Sequence, residues 1–248
     1  MSKKLMLVTG ASRGIGAEIA IAAGKAGYLV AVNYAKNDLE ANKVVQIIKA
    51  QGGDAFAIQA DCGKEDDIVR MFKSIDQFGP LDTLVANAGV IGGQTPIEEV
   101  TSEQLKALMD VNVIGLILCT REAIKRMSKA HGGQGGNIVL MSSAAARTGG
   151  IAKESHYASS KGAVDSFCLG ISKEVGNQGV RVVAVRPGLI RTEIHNAHGG
   201  IETIEQWAST VPMGRTGSPA EVAQTVLWLA SPQASYIHGA MIDIAGGR

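Results

Sequence analysis

Short apolar runs punctuate the chain, and between them the apolar positions fall three and four residues apart. The first run, Leu5-Met6-Leu7-Val8, is four consecutive apolar residues of the kind a strand buried on both faces carries. Comparable runs predict strands near 5–9, 29–34, 55–59, 82–86, 137–142, 181–186 and 240–244. The segments between them predict helices near 14–26, 38–51, 64–78, 102–129, 156–177 and 219–230. Two helix starts carry their own signal. Thr101-Ser102-Glu103-Gln104 and Ser218-Pro219-Ala220-Glu221 both read as capping boxes, the second with proline at its first helical position. Strands alternating with helices imply parallel βαβ units with right-handed crossovers, hence one α/β domain over 1–248 built on a doubly wound parallel sheet of about seven strands. The run Gly132-Gly133-Gln134-Gly135-Gly136 interrupts the pattern and reads as a flexible surface connection.

Ligands of a doubly wound sheet lie beyond the carboxyl ends of its strands, so the residues after each strand carry the candidate chemistry. After the first strand, Gly10, Gly14 and Gly16 bracket Ser12, Arg13 and Ile15 and lead into a helix. A helix N-terminus presents unsatisfied N–H groups and partial positive charge, which suits a diphosphate. A side chain at Gly14 or Gly16 is expected to hold that diphosphate away. The spacing is Gly-x-x-x-Gly-x-Gly, not the commoner Gly-x-Gly-x-x-Gly, and a glycine-rich turn alone is also compatible with a tight connection that binds nothing. After the third strand come Asp61 and Cys62, where a carboxylate can accept from an adenine amino group or cap a helix. Asn87-Ala88-Gly89 follows the fourth strand, Ser142-Ser143 the fifth and Pro187-Gly188 the sixth.

Composition narrows the partners. Among 248 residues, the formal net charge of +1 makes no case for nucleic acid or an anionic membrane. Cys62, Cys119 and Cys168 lie far apart without a CxxC, which suits a reduced, cytoplasmic protein. Met-Ser-Lys-Lys is followed by only four apolar residues, too few for a signal-peptide core. No apolar run reaches the roughly 18 residues of a membrane span. His195 and His198 stand in a loop without clear acid partners, so no metal site is expected.

Charge also bears on a dinucleotide's identity. An acid ending the second strand would bind a ribose 2′-OH and repel a 2′-phosphate. Here that strand ends Val32-Asn33-Tyr34-Ala35-Lys36, with Asn33 expected beside the cofactor, and the first carboxylate is Asp38, placed in the next helix's first turn. Arg13 and Lys36 without an acid favour NADP(H) over NAD(H). Tyr157 and Lys161, four apart, share a helix face. A neighbouring ammonium is expected to lower a phenol's pKa from its usual value of about 10 toward the range useful in acid–base catalysis. Ser143 could hold a substrate oxygen beside that phenol. No Gly-x-Ser-x-Gly elbow is present, so nucleophilic serine chemistry is not expected.

Thr9-Gly10-Ala11-Ser12-Arg13-Gly14-Ile15-Gly16, Asn87-Ala88-Gly89, Ser143, Tyr157-Ala158-Ser159-Ser160-Lys161 and Pro187-Gly188 together resemble the short-chain dehydrogenase/reductase family over almost the whole chain. The resemblance implies a Rossmann-type fold and an NADP(H)-dependent oxidoreductase that moves hydride between nicotinamide and a ketone, aldehyde or secondary alcohol. It implies that Tyr157 is the general acid/base, that Lys161 binds the nicotinamide ribose and tunes Tyr157, and that Ser143 orients the carbonyl. Asn112 stands where the family holds a water of its proton relay, and Ile190 and Thr192 where it contacts the nicotinamide amide. A homotetramer and a substrate lid at about 190–216, including Trp207, follow from the same likeness. The chain is similar to 3-oxoacyl-carrier-protein reductases and glucose dehydrogenases, although Gln178 stands where the former tend to carry arginine. An NAD-linked sugar or alcohol dehydrogenase, or a dinucleotide-binding regulator without turnover, are the alternatives.

Overall fold

The computed structural model describes residues 3–192 and 201–248. Strands β1 (Leu5–Val8), β2 (Leu29–Tyr34), β3 (Asp54–Gln59), β4 (Leu81–Ala86), β5 (Gly136–Met141), β6 (Val180–Pro187) and β7 (Met241–Ile244) form one sheet in the order β3-β2-β1-β4-β5-β6-β7. Every pairing is parallel. The strand order reverses between β1 and β4, the switch point at which such sheets open a crevice.

Side-chain alternation along the strands builds two cores. Met6 and Val8 of β1 face one layer with α1 (Gly14–Lys25), α2 (Asp38–Ala50) and α9 (Pro219–Ala230). Leu5 and Leu7 face the other, with α3 (Glu65–Ile75), α5 (Leu116–Met127) and α7 (Ser155–Val175). All four β1 side chains are fully buried, as their continuous apolar run requires. Both capping boxes form, Thr101 with Gln104 and Ser218 with Glu221. Asp38 does occupy the first turn of α2, where it complements the dipole.

Three expectations need correction. The helix expected over 102–129 is broken into α4 (Ser102–Met109), a π-helical turn Asp110–Gly115 and α5. The break accommodates the Cys62 carbonyl, which would lie 1.8 Å from any Cβ on Gly115. Two short helices, α6 (Ala145–Thr148) and α8 (Ile201–Gln206), were not read from the pattern because each is too brief to show periodicity. Within the run Gly132–Gly136, Gly133, Gly135 and Gly136 are closely packed, while Gly132 faces open space. A Cβ on Gly133 would sit 2.4 Å from the Arg126 carbonyl oxygen, and one on Gly135 would sit 2.6 Å from the Gly179 carbonyl oxygen. Those glycines admit close backbone approach where α5 returns to β5.

Candidate active site

A cleft of about 670 Å³ opens over the carboxyl ends of the strands, and the glycine turn forms its floor. Gly10 (φ +62°) and Gly14 (φ +59°) both need the left-handed conformation that favours glycine. No side chain caps α1, and its first turn holds no acid, so the positive end of the helix faces the cleft uncompensated. Gly16 has a packing reason to be glycine besides the one its spacing suggests. Its Cβ would meet the Asn87 Nδ2 and the Gly10 carbonyl oxygen, each at 2.5 Å, so the protein itself fills the space.

Hydrogen bonds from neighbouring strands fix this turn. The Thr9 hydroxyl oxygen accepts from the backbone N–H groups of Asn87 and Ala88, each at 2.9 Å. The Asn87 amide donates to the Thr9 carbonyl at 2.8 Å and to that of Gly10 at 3.2 Å. Asn33, expected at the cofactor, is only 1% exposed. Its Oδ1 accepts from the Gly10 N–H at 3.0 Å, and its Nδ2 donates to the Ala60 carbonyl at 3.1 Å. Asn33 therefore braces the turn from beneath, and its amide is occupied by backbone. A threonine after a strand carries no distinctive spacing, so the bracing role of Thr9 emerges only from the packed strands.

At the outer edge, Asp61 closes its own turn by accepting from the Gly63 N–H at 2.9 Å, while its second oxygen lies 3.7 Å from Lys64 Nζ. It does not cap α3, whose N-cap residue is Lys64. Cys62 is buried, with Sγ 3.5 Å from Asn33 Oδ1. Arg13, Tyr34, Ala35, Lys36 and Asn37 line the same end of the cleft, with no carboxylate among them.

At the other end, α7 delivers Tyr157 and Lys161 beside Ser143, which follows β5. Burial raises the Tyr157 phenol pKa to about 12; the neighbouring Ser143 side chain pulls it down and the Glu154 charge pushes it further up. The expected lowering by lysine is therefore not what this structure holds: desolvation of the phenolate wins. Lys161 is itself buried, which takes its pKa down to about 8 against an upward pull from Asp165. Its Nζ donates to the Met141 carbonyl at 2.8 Å and lies 5.9 Å from the centre of the Tyr157 ring. Glu154, buried on the cleft wall, has no spacing signal that would have revealed it.

Asn112 lies in the π-helical turn with no exposed surface. Its amide is already paired: Oδ1 accepts from the Val90 N–H at 2.8 Å, and Nδ2 donates to the Val90 carbonyl at 2.8 Å and to Ser160 Oγ at 3.0 Å. A water is not needed to satisfy that side chain. It locks the segment after β4 onto α7.

Pro187 and Gly188 stand at the end of β6, where a Cβ on Gly188 would meet Ala245 Cα at 2.8 Å. Ile190 and Thr192 are both buried along the cleft, Ile190 bridged to Gly217 and Thr192 packed over Gly14. Trp207 also lines the cleft. His195 and His198 lie outside the described residues. Among the described residues no cluster of His, Cys, Asp and Glu could hold a metal, and no helix is long and apolar enough to cross a membrane.

A doubly wound sheet that brings a glycine-turn helix end and a Ser–Tyr–Lys group into one cleft defines the class of nicotinamide-linked oxidoreductases. The chain belongs to the short-chain dehydrogenase/reductase family. Residues 10–248 match the family profile described as enoyl-(acyl carrier protein) reductase. The chain is 46% identical over 245 residues to the uncharacterized oxidoreductase YgfF of Escherichia coli K12, covering 98% of this chain and 99% of that one. It is 39% identical to versicolorin reductase 1 of Aspergillus parasiticus, over 98% of this chain and 95% of the relative. A solved short-chain dehydrogenase from Burkholderia cenocepacia J2315, in complex with NADP, is 32% identical and superposes with a TM-score of 0.91 over 100% of this chain and 98% of that one. The protein is an oxidoreductase.

Proposed function

We propose that the protein is an NADPH-dependent carbonyl reductase in which Tyr157 protonates the substrate oxygen. The observation that carries the reading is the placement of Ser143, Tyr157 and Lys161 in the same cleft as the uncapped N-terminus of α1. A phenol whose pKa is held near 12 keeps its proton until charge develops on the carbonyl oxygen, which makes it an acid for reduction. When bound, the nicotinamide cofactor supplies the hydride.

Around it, the residues have separate tasks. The turn of Gly10, Ser12, Arg13, Gly14, Ile15 and Gly16 would take the diphosphate, and Arg13 with Lys36 a 2′-phosphate. Asp61 and Cys62 would border the adenine, Asn87, Ala88 and Gly89 the ribose, and Pro187, Gly188, Ile190 and Thr192 the nicotinamide. Ser143 would orient the carbonyl, and Lys161 would hold positive charge under the ribose hydroxyls and the phenol. Asn112 would fix the turn that frames them. The bound NADP of the Burkholderia relative and the reductase activity named for the Aspergillus relative support this assignment.

The described ends of the expected lid, 190–192 and 201–216, would border the substrate; residues 193–200 lie outside the described residues. Exposed Leu105, Ile114 and Leu169, along α4, the π-helical turn and α7, suit burial between copies in a homotetramer. Tyr157→Phe tests the central role. NADPH oxidation across a panel of ketones and aldehydes should fall at least about a hundredfold, the usual contribution of a positioned acid, while NADPH binding persists. Undiminished turnover would remove Tyr157 from the chemistry.

A further inference from the structure

The chain leaves β7 through a tight turn that returns to the cleft. Gly246 (φ +63°) and Gly247 (φ +92°) both take the left-handed conformation that favours glycine. The Arg248 N–H then donates to the Ala245 carbonyl at 3.2 Å, which closes the turn. Each of its residues is seated on a cleft-bearing element. Ala245 packs against Gly188, and Gly247 against Pro212. The Gly246 carbonyl accepts from the Met213 N–H at 3.1 Å. The Arg248 backbone oxygen accepts from Arg147 Nη2 on α6, the short helix that follows Ser143. Arg248 is thereby held in the cleft lining, together with Thr148, Ile151 and Trp207. Its charge, unlike those of its neighbours, is not matched. Arg147 lies 3.7 Å from Asp243, Arg191 3.5 Å from Glu205 and Arg215 2.7 Å from Glu221. Arg248 Nη1 reaches only the neutral Thr210 hydroxyl, at 3.5 Å, and among the described residues no carboxylate pairs with it. Two carboxylates line the cleft: Asp61 stands at its outer edge, and Glu154 is 4% exposed and engaged within the protein.

We propose that Arg248 is a specificity-determining residue that selects carbonyl substrates bearing a carboxylate remote from the reacting carbonyl. A guanidinium offers paired N–H groups to the two oxygens of a carboxylate, and such charge-assisted bonds outweigh a long contact with a neutral hydroxyl. The backbone of Arg248 is fixed by Ala245 and Arg147, so little freedom remains to be lost when the side chain takes up an anion. Ile151 and Trp207, in the same lining, present apolar surface to the carbon skeleton between the two ends of the substrate. The ion pair between Arg186 and Asp243, at 3.7 Å, continues through Asp243 to Arg147, which ties the turn to β6 and β7 as well as to α6.

The inference rests on the carbonyl-reductase reading, in which the reacting carbonyl sits at Ser143 and Tyr157. Its test pairs each of a series of methyl ketones carrying a terminal carboxylate with the corresponding methyl ester, in the full-length protein. The readout is the ratio of kcat/KM for the acid to that for the ester, in which any general effect of a substitution on folding cancels. The parent should favour the acid. Arg248→Gln, which keeps the backbone bond to Arg147, should lower the ratio about tenfold, the worth of one hydrogen bond to a charged group. Arg248→Glu should lower it further, and Arg248→Lys should keep part of it. Raising the ionic strength from about 0.05 to about 0.5 M should shrink the ratio of the parent and leave that of Arg248→Gln nearly unchanged. A parent without preference for the acid, or a ratio that neither Arg248→Gln nor Arg248→Glu moves, would overturn the proposal and leave the reductase reading intact. If no ketone of the series is reduced, calorimetric titration of the acids into the NADPH-loaded protein decides. Affinity lost in Arg248→Gln would sustain the anion site while defeating the functional reading, and unchanged affinity would overturn the site as well.

Discussion

Lys161 Nζ donates to the carbonyl oxygen of Met141 at 2.8 Å, so the residue one helical turn from Tyr157 is tethered to the end of β5. The bond places the ammonium beneath the tyrosine ring, 5.9 Å from its centre. It also encloses two titratable groups whose pKa values move in opposite directions, to about 12 and about 8.

Those directions give a stability profile. Lys161 has a folded pKa of about 8, below its usual value of 10.5, so between pH 8 and 10.5 the unfolded chain binds more protons and stability rises with pH. Tyr157 has the reverse arrangement: from pH 10 to about 12 the folded state keeps a proton that the unfolded chain has released, and stability falls. The Cys119 thiol, hydrogen-bonded to Cys62, and the buried Cys168 thiol are also raised above the ordinary value of 9.0 and oppose the lysine from there upward, so denaturant midpoints should rise from pH 8 to about 9 and then decline. Lys161→Met should abolish the rise, and Tyr157→Phe should lessen the decline. A profile identical in Lys161→Met and the parent would contradict the assignment.

Asn33 should prove structural first and functional second. Asn33→Ala leaves the Gly10 N–H and the Ala60 carbonyl without their buried partner, which should cost about 2–3 kcal/mol in urea unfolding. NADPH affinity should weaken as well, because the turn loses its brace. Unchanged unfolding would mean that the brace has no energetic role.

The glycines divide by what surrounds them. Gly16→Ala places a Cβ 2.5 Å from the Gly10 carbonyl oxygen, so it should destabilise the fold and weaken NADPH binding together. Gly170→Ala lies mid-helix with nothing within 4 Å of the added carbon, and should raise stability by about 0.5–1 kcal/mol. Paired thermal melts and cofactor titrations separate the two.

The proposed preference for NADPH is tested at the end of β2. Ala35→Asp, which puts an acid where the cleft now holds none, should cut kcat/KM for NADPH at least about tenfold relative to NADH, by repelling the 2′-phosphate. Lys36→Glu should act in the same direction. A parent enzyme that prefers NADH would refute the charge argument at its root.

The doubly wound sheet, both capping boxes and the positions of Ser143, Tyr157 and Lys161 could all be read from the chain, because they depend on local periodicity, hydrogen bonds within four residues and side chains with distinctive chemistry. The π-helical turn at Asp110–Gly115 could not be read, since the Cys62 carbonyl that Gly115 admits arrives from 53 positions earlier in the chain. The tight packing of Gly133 and Gly135 was hidden for the same reason. So was the bracing role of Asn33, whose side chain looks free until the strands close around it. Above all, tertiary structure decided the electrostatics: four-residue spacing put an ammonium near a phenol, but burial, which no local pattern encodes, raised the tyrosine and lowered the lysine.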